Sequence, residues 1–222
     1  MSLIENKLIE IHNKLKFDKN ELKKEFPEQL MILKHIKPTD CVLEFGGSIG
    51  RSSCLINYLL NDKEKHIVIE PNLNEARELE KNKNNNSFKF SIERSAISGH
   101  KLYSKGWRTY KSKIPGSVEV NTITLEQLRD KYKLNYNVLV IDNEGNFVDN
   151  LKDFPEILDG VRLLQIEHDF NSEEDIQFFY STMKQNNFKM TDKFLKTERF
   201  GPGINWFDGI RTDPIFVSVW EK

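Results

Sequence analysis

The 222 residues carry 33 Lys and Arg against 34 Asp and Glu, a formal net charge of −1, with 38 % hydrophobic and 30 % charged residues; this fits one globular domain and excludes disordered and fibrous classes. Near-neutral charge argues against a surface that tracks nucleic acid throughout. No run approaches the roughly 18 apolar residues of a membrane span, and MSLIENKLIE lacks the cationic-then-apolar pattern of a secretory signal, so a cytoplasmic protein is expected. Cys41 and Cys54 are too few for a disulfide framework or a cysteine metal cluster.

In chain order, Leu3, Ile4, Leu8, Ile11 and Leu15 recur at helical spacing among charges, and Leu22 to Ile36 reads as one or two further amphipathic helices. Residues 1–38 are expected to form a helical cap and residues 39–222 the main domain. Pro38-Thr39-Asp40 breaks the helix, and Cys41-Val42-Leu43-Glu44-Phe45 followed by Gly46-Gly47 has the form of a buried strand ending in a tight loop. Arg51 to Asn61 places Cys54, Leu55, Tyr58 and Leu59 on one helical face, and His66-Ile67-Val68-Ile69-Glu70 supplies a second buried strand, which completes a βαβ unit. A helix over 74–83, an Asn84-Asn85-Asn86 loop and a strand over 88–92 follow. Val138-Leu139-Val140-Ile141-Asp142 and Leu163-Leu164-Gln165-Ile166-Glu167 are apolar runs that each end in an acid, with a helix from Phe147 between them. A helix over 173–185 and a strand over 215–220 close the chain. Strands alternating with helices predict an α/β, doubly wound sheet with ligands at the carboxyl ends of its strands.

Glu44-Phe45-Gly46-Gly47-Ser48-Ile49-Gly50 joins the first strand to the first helix of that unit, where glycines let a ligand approach the backbone and the helix N-terminus offers free N–H groups. A glycine turn alone fits a plain strand-to-helix connection equally well. Glu70, twenty residues beyond Gly50 at the end of the second strand, is placed to accept both hydroxyls of a ribose, so the pair points to a nucleoside cofactor. Pyrophosphate binding favours G-x-G-x-x-G, whereas this loop reads G-G-x-x-G behind an acid. An acid repels pyrophosphate and attracts the sulfonium and ammonium of S-adenosylmethionine, which favours the methyl donor over a nicotinamide dinucleotide.

These residues resemble an FkbM-type, class I S-adenosylmethionine-dependent methyltransferase. Val42-Leu43-Glu44-Phe45-Gly46-Gly47-Ser48-Ile49-Gly50 is similar to that family's D-x-G-A-N-x-G loop, Ile69-Glu70-Pro71-Asn72 to its F-E-P-N strand end, and Ile141-Asp142-Asn143-Glu144-Gly145 to its I-D-V-E-G strand end. Ile166-Glu167-His168 and Ser95-Ala96-Ile97-Ser98 resemble two further segments, so the likeness runs from about residue 40 to 170. Glu44 stands for the usual Asp, Ser48 for the usual Asn, and Phe147 where a second Glu often follows E-G. The resemblance implies a Rossmann-like, seven-stranded, mostly parallel sheet with an antiparallel C-terminal strand behind an N-terminal helical extension. It further implies that Glu44, Gly46, Ser48 and Gly50 line the methionine part of the donor, that Glu70 holds the ribose, and that Ser95 and Ala96 flank adenine. The implied acceptor is a sugar hydroxyl of a glycan or glycoconjugate.

Methyl transfer to a hydroxyl needs a base near the strand ends, and His168 suits this by intrinsic pKa. If strand alternation turns His168 away, Asp142 or Glu144 takes the role. Asp142, Glu167 and Asp169 also offer oxygen ligands for a divalent cation. From Arg94 to Val118 there is no acid, while Arg94, Lys101, Lys105, Arg108, Lys111 and Lys113 interleave with Tyr103, Trp107 and Tyr110. Trp107 and Arg108 could therefore grip a phosphate-bearing acceptor, whether a nucleotide sugar or the RNA of a nucleic-acid 2′-O-methyltransferase; a solvated hairpin explains the segment too. Asn205, Trp206 and Asp208, in an aromatic, turn-rich segment before the last strand, are candidate saccharide contacts. A nucleotide-binding module without catalysis is the reading from another class.

Overall fold

The computed structural model describes residues 2–133, 135–197 and 213–222. Seven strands, β1 (Val42–Phe45), β2 (His66–Ile69), β3 (Ser91–Glu93), β4 (Val138–Ile141), β5 (Leu163–Glu167), β6 (Lys189–Leu195) and β7 (Ile215–Glu221), form one sheet in the order β3-β2-β1-β4-β5-β7-β6. β1 to β5 pair in parallel, and β7 runs antiparallel to both β5 and β6. The expected seven-stranded, mostly parallel sheet with an antiparallel C-terminal strand is present. β3 starts later than the 88–92 expected, because fully buried Phe90 packs on Val68 and Leu79 before strand pairing begins. β6 has no counterpart among the expected strands, since its side chains are exposed or half-buried at the sheet edge and give no apolar run.

The N-terminal segment folds as α1 (Leu3–Lys14), the short α2 (Lys19–Leu22) and α3 (Phe26–His35). Ser2 and Glu5 cap α1 reciprocally, an arrangement that contributes about 1 kcal/mol. Leu8, Ile11, Met31 and Ile32 pack with Val42, Val138, Val140, Val217 and Val219, so the helices cover one face of the sheet together with α4 (Arg51–Leu59). α5 (Leu73–Asn85) closes over Val68 near the β3 edge. α6 (Leu125–Tyr132), α7 (Phe147–Asp153) and α8 (Glu173–Gln185) cover the opposite face, against Leu43, Phe45, Leu139, Ile141, Leu164 and Ile166. Side chains alternate along each strand. Glu44, Gln165 and Glu167 therefore share the face of Val42, Val140 and Leu163, beneath α3.

Between β3 and α6 the basic segment forms a small antiparallel sheet of Leu102–Lys105, Arg108–Tyr110 and Val118–Val120. Cys41 is half-buried and Cys54 buried, both as free thiols. Among the described residues no helix is long and apolar enough to cross a membrane.

Candidate active site

The turn after β1 is pressed against the neighbouring strand ends. Gly46 has φ +82°, and a Cβ there would lie 1.6 Å from the Asp142 carbonyl oxygen, so only glycine lets β1 and β4 end this close together. The Gly46 and Gly47 N–H groups both donate to the Ile69 carbonyl, at 3.0 and 3.1 Å, which pins the turn to β2. Ser48, itself at φ +43°, donates its N–H to Glu70 Oε2 at 2.7 Å, and Asn72 donates its own to Oε1 at 2.7 Å. Gly50, at φ +96°, opens α4. Burial, opposed by these two hydrogen bonds and reinforced by Glu75 and Glu44, raises the Glu70 pKa to about 7. Each Glu70 oxygen still has lone-pair capacity for another donor, which is what two vicinal ribose hydroxyls require. The Glu70 N–H donates to the Glu93 carbonyl at 2.9 Å, so β2 and β3 end side by side; half-buried Ser95 and buried Ala96 lie two and three residues beyond Glu93.

Three acids meet at the ends of β4 and β5. Asp142, Glu167 and Asp169 each bring a carboxylate oxygen within 4.8 Å of the others. Gly145, at φ +83°, makes that approach possible, because a Cβ on it would stand 2.3 Å from the Asp169 carbonyl oxygen. Desolvation pushes the Asp142 and Glu167 carboxyls well above the usual range, and the charges of Glu25 and Asp169 push Asp142 the same way. A small cavity bounded by Glu28, Glu44, Gly46, Asp142, Gln165 and Glu167 adjoins them, and none of its lining residues is basic. Such a wall favours positive charge and repels phosphate. Glu44 lines it while accepting a 2.9 Å hydrogen bond from His66 Nε2, both side chains being buried. No local pattern pairs Glu44 with His66, which reaches it only through the β1–β2 register.

His168 lies elsewhere. Two residues beyond Ile166, it falls on the α8 face, 1 % exposed, with its ring packed among Phe170, Phe179 and Tyr180. Nδ1 donates to Asp213 Oδ2 at 2.7 Å, Nε2 accepts from the Ser218 hydroxyl at 2.7 Å, and Trp220 Nε1 donates to that hydroxyl at 2.8 Å. Both ring nitrogens are committed to this chain of bonds, so alternation has turned the histidine from the strand-end rim. Glu144 is half-buried with φ +56°, next to Gly145 in the turn after β4.

Trp107 is 75 % exposed at the tip between two strands of the small sheet, with half-buried Arg108 beside it. Part of the basic segment is paired: Arg94 with Glu80, Lys101 with Glu119 and Lys111 with Asp149. Asn205, Trp206 and Asp208 lie outside the described residues.

The sequence reading missed Glu28, although the signal was present: it precedes buried Met31 and Ile32 by three and four positions and so lies on the apolar face of α3. It also missed the tie between helices, in which Arg51 pairs with Glu21 at 2.6 Å and Glu25 at 3.2 Å while the Ser52 hydroxyl donates to Glu25 at 2.8 Å.

No protein-family model and no curated protein matches the chain. Solved structures do. An rRNA methylase from Streptococcus thermophilus is 11 % identical, with a TM-score of 0.52 over 87 % of this chain and 93 % of that one. An O-methyltransferase from Bacillus cereus in complex with SAH is 12 % identical, with a TM-score of 0.52 over 100 % and 92 % of the two chains. A ribosomal protein L11 methylase from Lactobacillus delbrueckii subsp. bulgaricus is 10 % identical, with a TM-score of 0.52 over 94 % and 82 %. At these identities the likeness concerns the fold, and the chain has the Rossmann-like fold of the class I methyltransferases.

Proposed function

We propose that this protein is a cytoplasmic S-adenosylmethionine-dependent O-methyltransferase of the FkbM type, acting on a sugar hydroxyl of a glycan or glycoconjugate. The observation that carries the donor is Glu70, a buried carboxylate at the end of β2 whose two oxygens keep lone pairs beside a glycine turn and an acid-walled cavity. S-adenosylmethionine, when bound, supplies an electrophilic methyl group on a sulfonium. Glu70 accepts the ribose hydroxyls, Gly46, Ser48 and Gly50 give the methionine part a close backbone, and Glu44 and Asp142 favour its positive charge. Ser95 and Ala96 flank adenine. Asp142 is the base in this reading, because desolvation makes its carboxylate more basic and better matched to a hydroxyl proton. Three oxygen donors within 4.8 Å make Asp142, Glu167 and Asp169 a fitting set for a divalent cation, which would polarise the acceptor hydroxyl there.

The sugar acceptor rests on the resemblance of the strand-end motifs. A nucleic-acid 2′-hydroxyl would draw on the basic segment, where pairing of Arg94, Lys101 and Lys111 with acids leaves less charge for a phosphate backbone. Incubation with methyl-labelled donor and a panel of glycans and RNAs tests the reading. Label in a glycan is expected; label in RNA alone would reassign the acceptor, and donor binding without turnover on any acceptor would leave a nucleotide-binding module.

A further inference from the structure

Buried acids need a counter-charge, a proton or a hydrogen-bond donor. Glu28 on α3 is 7 % exposed, and its Oε2 is buried without a hydrogen-bond partner. It borders the same cavity as Asp142 and Glu167. Gln165 Nε2, at 3.1 Å, satisfies the Glu28 backbone carbonyl and holds this turn of α3 down on β5, while Oε2 of the carboxylate keeps no partner. The cavity has about 10 Å³ of room, that of one water-sized body. Carboxylates from two layers of the fold, Glu28 on α3 and Asp142 and Glu167 at the strand ends, thus border one small cavity.

Resting on the reading of Asp142, Glu167 and Asp169 as cation ligands, we propose that Glu28 is a further ligand, so that the N-terminal segment completes a divalent-cation site between α3 and the ends of β4 and β5. All the donors are hard carboxylate oxygens, the set that takes Mg²⁺, Mn²⁺ or Ca²⁺ and not a softer thiophilic metal. The desolvation that lifts Glu28 well above the usual carboxylate range, together with the charges of Glu25, Asp142 and Asp169, is the cost that a bound cation removes. Cation binding is then coupled to the seating of α3, because one ligand belongs to the helix and the others to the sheet.

Mn²⁺ binding to the full chain, followed by calorimetry and by the paramagnetic resonance signal of free Mn²⁺, tests this. The wild type is expected to bind one Mn²⁺, and Glu28→Gln, of nearly the same shape, to weaken it at least tenfold. In chelator, Glu28→Gln should be at least as heat-stable as the wild type, since an uncompensated buried acid has been removed, and it should gain less than the wild type when Mn²⁺ is added. Wild-type Mn²⁺ affinity in Glu28→Gln, with affinity lost in Asp142→Asn, would overturn the role of Glu28 and leave the three-acid site standing. No Mn²⁺ or Mg²⁺ binding by the wild type would overturn the site itself. Binding of S-adenosylhomocysteine and S-adenosylmethionine in chelator reports on the donor reading separately. Loss there of affinity for both in Glu28→Gln, with Mn²⁺ affinity kept, would assign the carboxylate to the donor's ammonium instead.

Discussion

Glu70 titrates close to neutrality, and this has consequences for stability and for ligand binding. Below pH 4.5 its carboxyl is neutral in the folded and unfolded chain alike; as pH rises toward 7 the unfolded chain gives up the proton that the fold retains, so stability falls through that window and levels off above it. A rise from 4.5 to about 7 corresponds to roughly 3 kcal/mol. Urea titrations of wild type and Glu70→Gln between pH 4.5 and 8 should show the wild type losing about that much relative to the variant; parallel curves would refute it. Ribose hydroxyls bond best to the ionised carboxylate, so donor affinity should climb as pH passes 7, and fall for Glu70→Gln at pH 8. A different outcome is expected at His168, where the sequence offered two readings and only the fold could choose. Its partners Asp213 and Ser218 are 45 and 50 residues away, in a register that no local pattern encodes. His168→Ala strands both partners and should cost roughly 2–4 kcal/mol in denaturation while donor affinity holds. Asp142→Asn should instead leave the fold and cut turnover by about 10²–10⁴-fold. Full stability with a hundredfold loss of turnover in His168→Ala would return the histidine to catalysis.

At the scale of elements, the turn between β1 and α4 was the most legible feature, because glycines at fixed positions announce themselves. What the sequence withheld was the reason for each glycine. Gly46 faces the Asp142 carbonyl and Gly145 the Asp169 carbonyl, contacts made between strands far apart in the chain. Gly46→Ala should therefore destabilise the protein by on the order of 3 kcal/mol, measured by chemical denaturation, and abolish donor binding. Near-wild-type stability would show that the strand ends can part without cost. β6 and α6 escaped the sequence reading for a common reason. Neither presents a strong apolar pattern, since β6 lies at the edge and α6 buries only Leu125 and Leu128 of its eight residues. Arg51 links elements that periodicity treats as separate, and Arg51→Ala should loosen α2 and α3, read as faster amide exchange in residues 19–35 than in β1 or β4.

For the molecule as a whole, a doubly wound, mostly parallel sheet followed from the alternation of apolar runs with helices, and the helices before β1 were legible as elements. Their part in the core was not. The cap and the sheet share one cluster of buried side chains, with Leu8 and Ile32 set against Val138 and Val219, so residues 39–222 alone would expose a wide apolar face. A chain starting at residue 39 should be aggregation-prone, with no cooperative melting transition in calorimetry; a sharp transition would show that the sheet domain stands alone. The contact of α3 with β5 and β7 joins residues 26–35 to a strand at residues 215–221. During synthesis α3 therefore leaves the ribosome long before part of the surface it covers exists, a wait of roughly ten to forty seconds at 5–20 residues per second. Through that interval Met31 and Ile32 lack β7, so closure of this protein waits for residues 215–221 to emerge, and a nascent chain stalled before residue 213 should remain open to protease and to chaperones that hold apolar segments.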